Sequence, residues 1–294
     1  MDRRQFGRSL TGAALGAAVL PTAIAAATET RPALPFKLSV MLWTIDRDRP
    51  FDERIEKVVE AGYHSVELVN EFNKWSDDEF RHFRAKKQSL GLTVDACTLP
   101  VKGTVDPSKK DEFLSDLKKF LPTAERLECP ALIILTGNRI DGVAHEVTHH
   151  ACVDTLKYGA DVAAKANVTL LLENIDQEEN PKYFLTSVAE GFEIIRQVDN
   201  PHVKFLYDFY HEQISEGNLI EKLERNIDLV GLVHIADVPS RHQPGTGEIN
   251  FGNIFRKLAE LRFPRYAAME FIPTGDTLKA LRGARELAEQ STRR

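Results

Sequence analysis

Cysteine is scarce in this chain. Cys97, Cys129 and Cys152 are its three cysteines in 294 residues, and no C-x-x-C pair occurs. An odd count without paired spacing points to neither a disulfide framework nor a zinc cluster. Export would allow one disulfide, but Cys97 and Cys129 fall on or beside predicted strands and read as buried free thiols. A basic surplus is also missing. With 38 Lys and Arg against 44 Asp and Glu, the formal charge is −6, so nothing marks an electrostatic grip on nucleic acid. Beyond the first segment no stretch is long and apolar enough to span a bilayer. Internal repeats, linkers and low-complexity runs are absent after that segment. No Gly-rich phosphate loop follows the first apolar run, where open doubly wound folds usually carry one. What is present is ordinary for a globular protein, with 43% hydrophobic and 28% charged residues. A chain this long buries a large core without staples.

The first segment reads MDRRQFGRSLTGAALGAAVLPTAIAAA. Arg3 and Arg4 precede an uncharged, Ala- and Gly-rich stretch that ends in small residues fitting A-x-A cleavage. Residues 1–27 thus look like a twin-arginine signal peptide. An ordinary Sec signal or an uncleaved anchor is the alternative. The reading makes the twin-arginine export machinery a partner and the periplasm, or another exported location, the destination. Removing three arginines and one aspartate with the segment takes the charge from −6 to −8.

From Phe36 onward, short apolar runs alternate with stretches of helical period. The predicted strands are Lys37–Trp43, His64–Leu68, Thr93–Leu99, Ala131–Leu135, Val168–Glu173, His202–Asp208, Leu229–Ile235 and Tyr266–Phe271. Several are apolar throughout, as strands covered on both faces require. Predicted helices fill the gaps. Asp52–Ala61 stops at Gly62, and the next opens on an S-x-x-E capping box at Ser76 and Glu79 and stops at Gly91. Asp111–Leu127, His145–Lys165, Ser187–Val198, Leu219–Asn226, Ile254–Leu261 and Thr277–Gln290 complete the set. Eight strand–helix units in order predict one α/β domain, a (β/α)8 TIM barrel over residues 36–294.

Active sites of such barrels lie at the C-terminal ends of the strands. Strands five to eight end near Glu173, Asp208, His234 and Glu270, spaced 35, 26 and 36 residues apart. Each interval is about one strand–helix unit, so the four side chains can stand on adjacent strands. Like charges this close repel or take up protons unless a cation neutralises them. Three carboxylates and an imidazole form a hard, oxygen-rich set suited to one divalent ion, Mn2+, Mg2+ or Co2+. Any one of these acids alone would more often cap a helix.

Other polar residues gather nearby. His211 faces the substrate or packs a loop. Arg241 grips a substrate carboxylate or hydroxyl with its fork, or forms a surface salt bridge. Glu67, ending strand two, reaches substrate or pairs with a base. Pro244–Glu248 reads as a turn, in which Glu248 is expected to do no more than cap the next helix. His149 and His150 read as solvent-facing.

The segments ENIDQEENPKYFL, YDFYHEQ, VHIADVPSRHQPGTGEIN and AAMEF resemble the hydroxypyruvate isomerase family, within the xylose isomerase-like group of TIM-barrel sugar isomerases and epimerases. The resemblance runs from about Phe36 to the C-terminus and is densest from Leu171 to Phe271. It implies metal ligands at Glu173, Asp208, His234 and Glu270, with Glu173 and Glu270 as the acid/base pair and His211 and Arg241 near the substrate. The chain departs from hydroxypyruvate isomerases at His234, where those usually carry Gln and ketose 3-epimerases carry His. It also has Ile272 in place of a lysine.

The expected function is metal-dependent isomerisation or epimerisation of a small sugar or hydroxy-keto acid, by proton transfer through a metal-bound enediolate. Two alternatives share the barrel: an exported 3-keto-glycoside lyase or hydrolase using the same metal site, and a non-catalytic sugar-binding protein. A homo-oligomer is compatible with either class.

Overall fold

The structure, a computed structural model, describes residues 34–101 and 103–293. The signal peptide expected over residues 1–27 lies outside the described residues. Eight parallel strands close into a barrel in sequence order. They are β1 (Lys37–Met41), β2 (Ser65–Leu68), β3 (Thr93–Thr98), β4 (Ala131–Leu135), β5 (Thr169–Glu173), β6 (Val203–Asp208), β7 (Val230–Ile235) and β8 (Tyr266–Met269). Closure is made by β1 on β8, with Lys37 opposite Tyr266 and Val40 opposite Met269. Runs such as ALIIL in β4 and TLLLE in β5 are apolar on both faces. One face fills the barrel and the other meets the helices.

The helices are α1 (Phe51–Glu60), α2 (Asp77–Ser89), α3 (Lys110–Leu127), α4 (His145–Lys165), α5 (Val188–Val198), α6 (Phe209–Ser215), α7 (Leu219–Asn226), α8 (Phe251–Glu260) and α9 (Thr277–Ser291). Ser76 and Glu79 form the expected capping box at the start of α2. Gly62 and Gly91 take positive φ of 89° and 60° where α1 and α2 end, a backbone state open to glycine at little steric cost. Helix α6 was not expected. It starts directly after β6 because the Asp208 side chain accepts from Tyr210 N at 2.7 Å and caps it.

Two other expectations need correction. His149 is buried, not solvent-facing, because α4 packs on α5 and sets its Nδ1 2.9 Å from Glu190 Oε1; His150 is exposed as expected. Glu248 does not cap α8. Asn250 does, accepting from Asn253 N at 3.0 Å, while Glu248 accepts from Gln213. All three cysteines are buried free thiols.

Inside the barrel, Met41, Ala96, Ile133, Leu171, Leu206, Leu232 and Ala268 form one apolar cluster. The helices cover the outside at close range. A Cβ added at Gly191 of α5 would sit 2.2 Å from Phe205 Cε2 on β6. Gly191→Ala is therefore expected to destabilise the fold by about 1–3 kcal/mol through overpacking. Thermal unfolding should show a midpoint lowered by several degrees, and an unchanged midpoint would contradict this close packing.

Candidate active site

The strands bring Glu173, Asp208, His234 and Glu270 together at the C-terminal end of the barrel. Register sets Asp208 opposite His234, and Glu270 follows β8 with its N–H on Ile235 O at 3.1 Å. All four are buried, and each offers a ligand atom within 4.8 Å of the others. His234 Nδ1 lies 2.7 Å from Glu270 Oε2, 3.5 Å from Glu173 Oε1 and 3.9 Å from Asp208 Oδ2. Yet His234 Nδ1, Glu270 Oε2 and Asp208 Oδ2 are buried without an aligned hydrogen-bond partner among the described residues. Buried polar atoms are normally satisfied, and a bound ion is one accepted explanation when they lack a protein partner. Buried N and O atoms this close together without aligned partners fit a cation-binding set. The donors, three carboxylates and an imidazole, suit it chemically.

The charges in this cluster shape one another. Burial lowers the tendency of His234 to carry charge, but Glu270, Glu67 and Glu173 outweigh it and raise its pKa well above the ordinary value. Burial raises Glu173, against the opposing pull of His234. Burial would raise Glu270 as well, but Arg241 and His234 hold it far below the usual carboxylate range. The two glutamates thus sit in opposite electrostatic environments.

Arg241 links the cluster to a second group. Its Nη1 is 2.9 Å from Glu270 Oε1, and its Nη2 lies 2.9 Å from Glu179 Oε2 and 2.8 Å from His211 Nε2. The guanidinium stacks 4.4 Å over the Tyr210 ring. Ser240 and Arg241 both adopt left-handed φ, 78° and 56°, a conformation uncommon outside glycine that marks a local constraint. Arg241 is buried, so it is no surface salt bridge. His211 Nδ1 meets Asp176 Oδ2 at 2.6 Å. Burial opposes charge on His211, but Asp208 and Asp176 raise its pKa above the ordinary value. Asp176, Glu179 and His211 also cluster closely enough for a cation, but Arg241 already supplies positive charge there.

Asp237 organises the loop that carries Arg241. Its carboxylate accepts from the backbone N–H of Val238, Gly245, Gly247 and Ile249 at 2.9–3.0 Å. Gly247 is required by space, since a Cβ there would lie 2.0 Å from Val238 O.

Glu67 lies fully buried on β2, with Oε2 2.9 Å from His234 Nε2. Its neighbour in the site is therefore the His234 imidazole. Four residues of the site were not singled out from sequence: Trp43, Asp95, Asp176 and Glu179. Trp43 Nε1 donates to Glu270 Oε1 at 3.2 Å. Asp176 and Glu179 lie three and six residues past Glu173, and that short spacing on a strand-end loop was the available signal.

A parallel barrel with a polar, cation-ready cluster at its C-terminal mouth defines a class of TIM-barrel enzymes with the active site on the strand ends. Residues 55–291 match the model of the xylose isomerase-like TIM barrel, and the chain belongs to this family. A putative hydroxypyruvate isomerase of Xenopus laevis is 33% identical over 81% of this chain and 90% of its own. A 2-oxo-tetronate isomerase of Pectobacterium atrosepticum is 27% identical over 82% and 94%. Among solved structures, the IOLI protein with a bound zinc atom superposes with a TM-score of 0.73 at 18% identity, over 87% of this chain and 98% of its own. At that identity the likeness is one of fold. The protein is an isomerase, as the named activities of its sequence relatives indicate.

Proposed function

We propose that the protein is a metal-dependent isomerase or epimerase of a small hydroxy-carbonyl compound, a sugar or a hydroxy-keto acid. Glu173, Asp208, His234 and Glu270 would hold one divalent ion. The observation that carries this reading is the set of three orphaned buried atoms, Asp208 Oδ2, His234 Nδ1 and Glu270 Oε2, converging beside Glu173. The zinc in the IOLI structure supports it; the physiological ion in this reading is Mn2+, Mg2+ or Co2+. A bound cation there supplies Lewis acidity to a carbonyl and its neighbouring hydroxyl.

The protein's own groups handle the proton. Glu173, raised by burial, takes the proton from the carbon beside the carbonyl. Glu270, held ionised by Arg241 and His234 and steadied by Trp43, faces it as the second member of the acid/base pair. Arg241 and His211 orient substrate oxygens. Arg241 is already paired with Glu270 and Glu179, so it serves hydroxyl and carbonyl oxygens through its N–H groups. Returning the proton to the adjacent carbon isomerises the substrate, and returning it to the opposite face of the same carbon epimerises it. The isomerase relatives argue against the lyase and sugar-binding alternatives.

The test is solvent deuterium uptake by metal-loaded protein, run against a panel of ketoses, hydroxypyruvate, 2-oxo-tetronate and 3-keto-glycosides. Uptake with at least one ketose or hydroxy-keto acid is expected. No exchange with any member would sink the reading. We also propose export through the twin-arginine signal of residues 1–27. Cell fractionation of the wild type and an Arg3→Lys/Arg4→Lys variant checks it, with retention of the variant in the cytoplasm expected.

A further inference from the structure

Glu67 is an acid in an apolar layer. Its register neighbours on β1 and β3, Met41 and Ala96, both belong to the barrel's inner apolar cluster. The pairing of β2 with β3 slips between Val66 and Glu67, an irregularity of the kind that re-aims a side chain. Glu67 has no exposed surface. A carboxylate buried this way costs several kcal/mol unless it is paired.

Its partner is the far side of His234. Glu67 Oε2 is 2.9 Å from Nε2, while Nδ1 of the same ring faces Glu173, Asp208 and Glu270. The imidazole is thus clamped between a lone carboxylate and the ligand cluster. The second Glu67 oxygen, Oε1, receives no N–H or O–H donor among the described residues. Glu67 neighbours Asp95, whose own oxygens accept from Ser39 Oγ at 2.9 Å and Ser65 Oγ at 2.7 Å. Burial and the adjacent Glu67 charge raise the Asp95 carboxyl well above the carboxylate range. Both acids are buried.

Resting on the metal centre proposed above, we infer that Glu67 is a positioning residue for His234: it accepts the Nε2–H and thereby presents the Nδ1 lone pair to the metal. Metal-bound histidines commonly hand their other N–H to a carboxylate, and losing that partner costs about 10–100-fold in metal affinity or activity. Asp95, itself fixed by Ser39 and Ser65, neighbours Glu67.

Co2+ titration of the metal-free chain, followed by calorimetry and by the visible Co2+ spectrum, tests this. Glu67→Leu should weaken Co2+ binding about 10–100-fold and shift the spectrum. Glu67→Gln, whose amide oxygen still accepts from Nε2–H, should fall between Leu and the wild type. A purely structural Glu67 would change the unfolding midpoint and leave affinity and spectrum alone, and that result overturns the inference. For the wild type itself, 15N-histidine spectra of the Zn2+-loaded protein should show His234 protonated at Nε2; protonation at Nδ1 overturns it without recourse to any variant. A wild type that takes up no Co2+ overturns the metal centre too, so the two failures are distinct.

Discussion

Glu173→Gln should reduce proton exchange at the substrate carbon by about 10²–10⁴-fold at full metal loading, the usual contribution of a positioned general base. The change keeps the shape of the side chain and removes its ability to take a proton. Because Glu173 is also proposed to bind the metal, occupancy has to be measured alongside the rate, and the loss must persist when occupancy matches the wild type. Glu270→Gln is expected to act differently. Glu270 is held ionised by Arg241 and His234, and the change removes a charged member of the proposed ligand set, so metal affinity should fall together with the rate. Exchange by Glu173→Gln within about tenfold of the wild type would remove Glu173 from the role of base.

Adding Mn2+ or Co2+ to the metal-free protein should raise its unfolding midpoint by about 10 °C. A ligand at a thousandfold its Kd stabilises by about 4 kcal/mol, and a protein of this size gains roughly 2–4 °C per kcal/mol. The physical source is relief of repulsion among Glu173, Asp208 and Glu270, buried on adjacent strands. The shift should shrink as pH falls. In the metal-free site the surrounding carboxylates raise the His234 pKa, so a proton competes for Nδ1 below that raised value. Each proton displaced on binding weakens apparent affinity by up to about tenfold per pH unit. Differential scanning calorimetry across pH, with and without metal, measures both effects. A midpoint insensitive to every divalent ion tried would refute the metal set.

The barrel was legible because its signals are local and repeat. Apolar runs such as ALIIL and LLLE alternate with helical stretches, and the capping box at Ser76 and Glu79 and the stops at Gly62 and Gly91 are short-range chemistry. The four-residue cluster was legible for the same reason, since one strand–helix unit separates each member from the next. Helix α6 was not legible. Seven residues are too few to show a helical period, and the cap that starts it is Asp208, which the strand pattern had already claimed. His149 was misread because helical spacing tells which residues share a face but not which face meets a neighbouring helix.

By itself the sequence determined the order of elements and the residue types at the strand ends, because hydrophobic period and capping act over a few residues. Tertiary structure alone decided which of those polar groups meet. Closing β1 on β8 and tilting the strands sets Glu67 of β2 beneath His234 of β7, 167 residues away. The Asp237-held loop turns Arg241 inward onto Glu270 and Glu179. Contacts at such separations arise from barrel closure and side-chain direction, which leave no periodic trace along the chain.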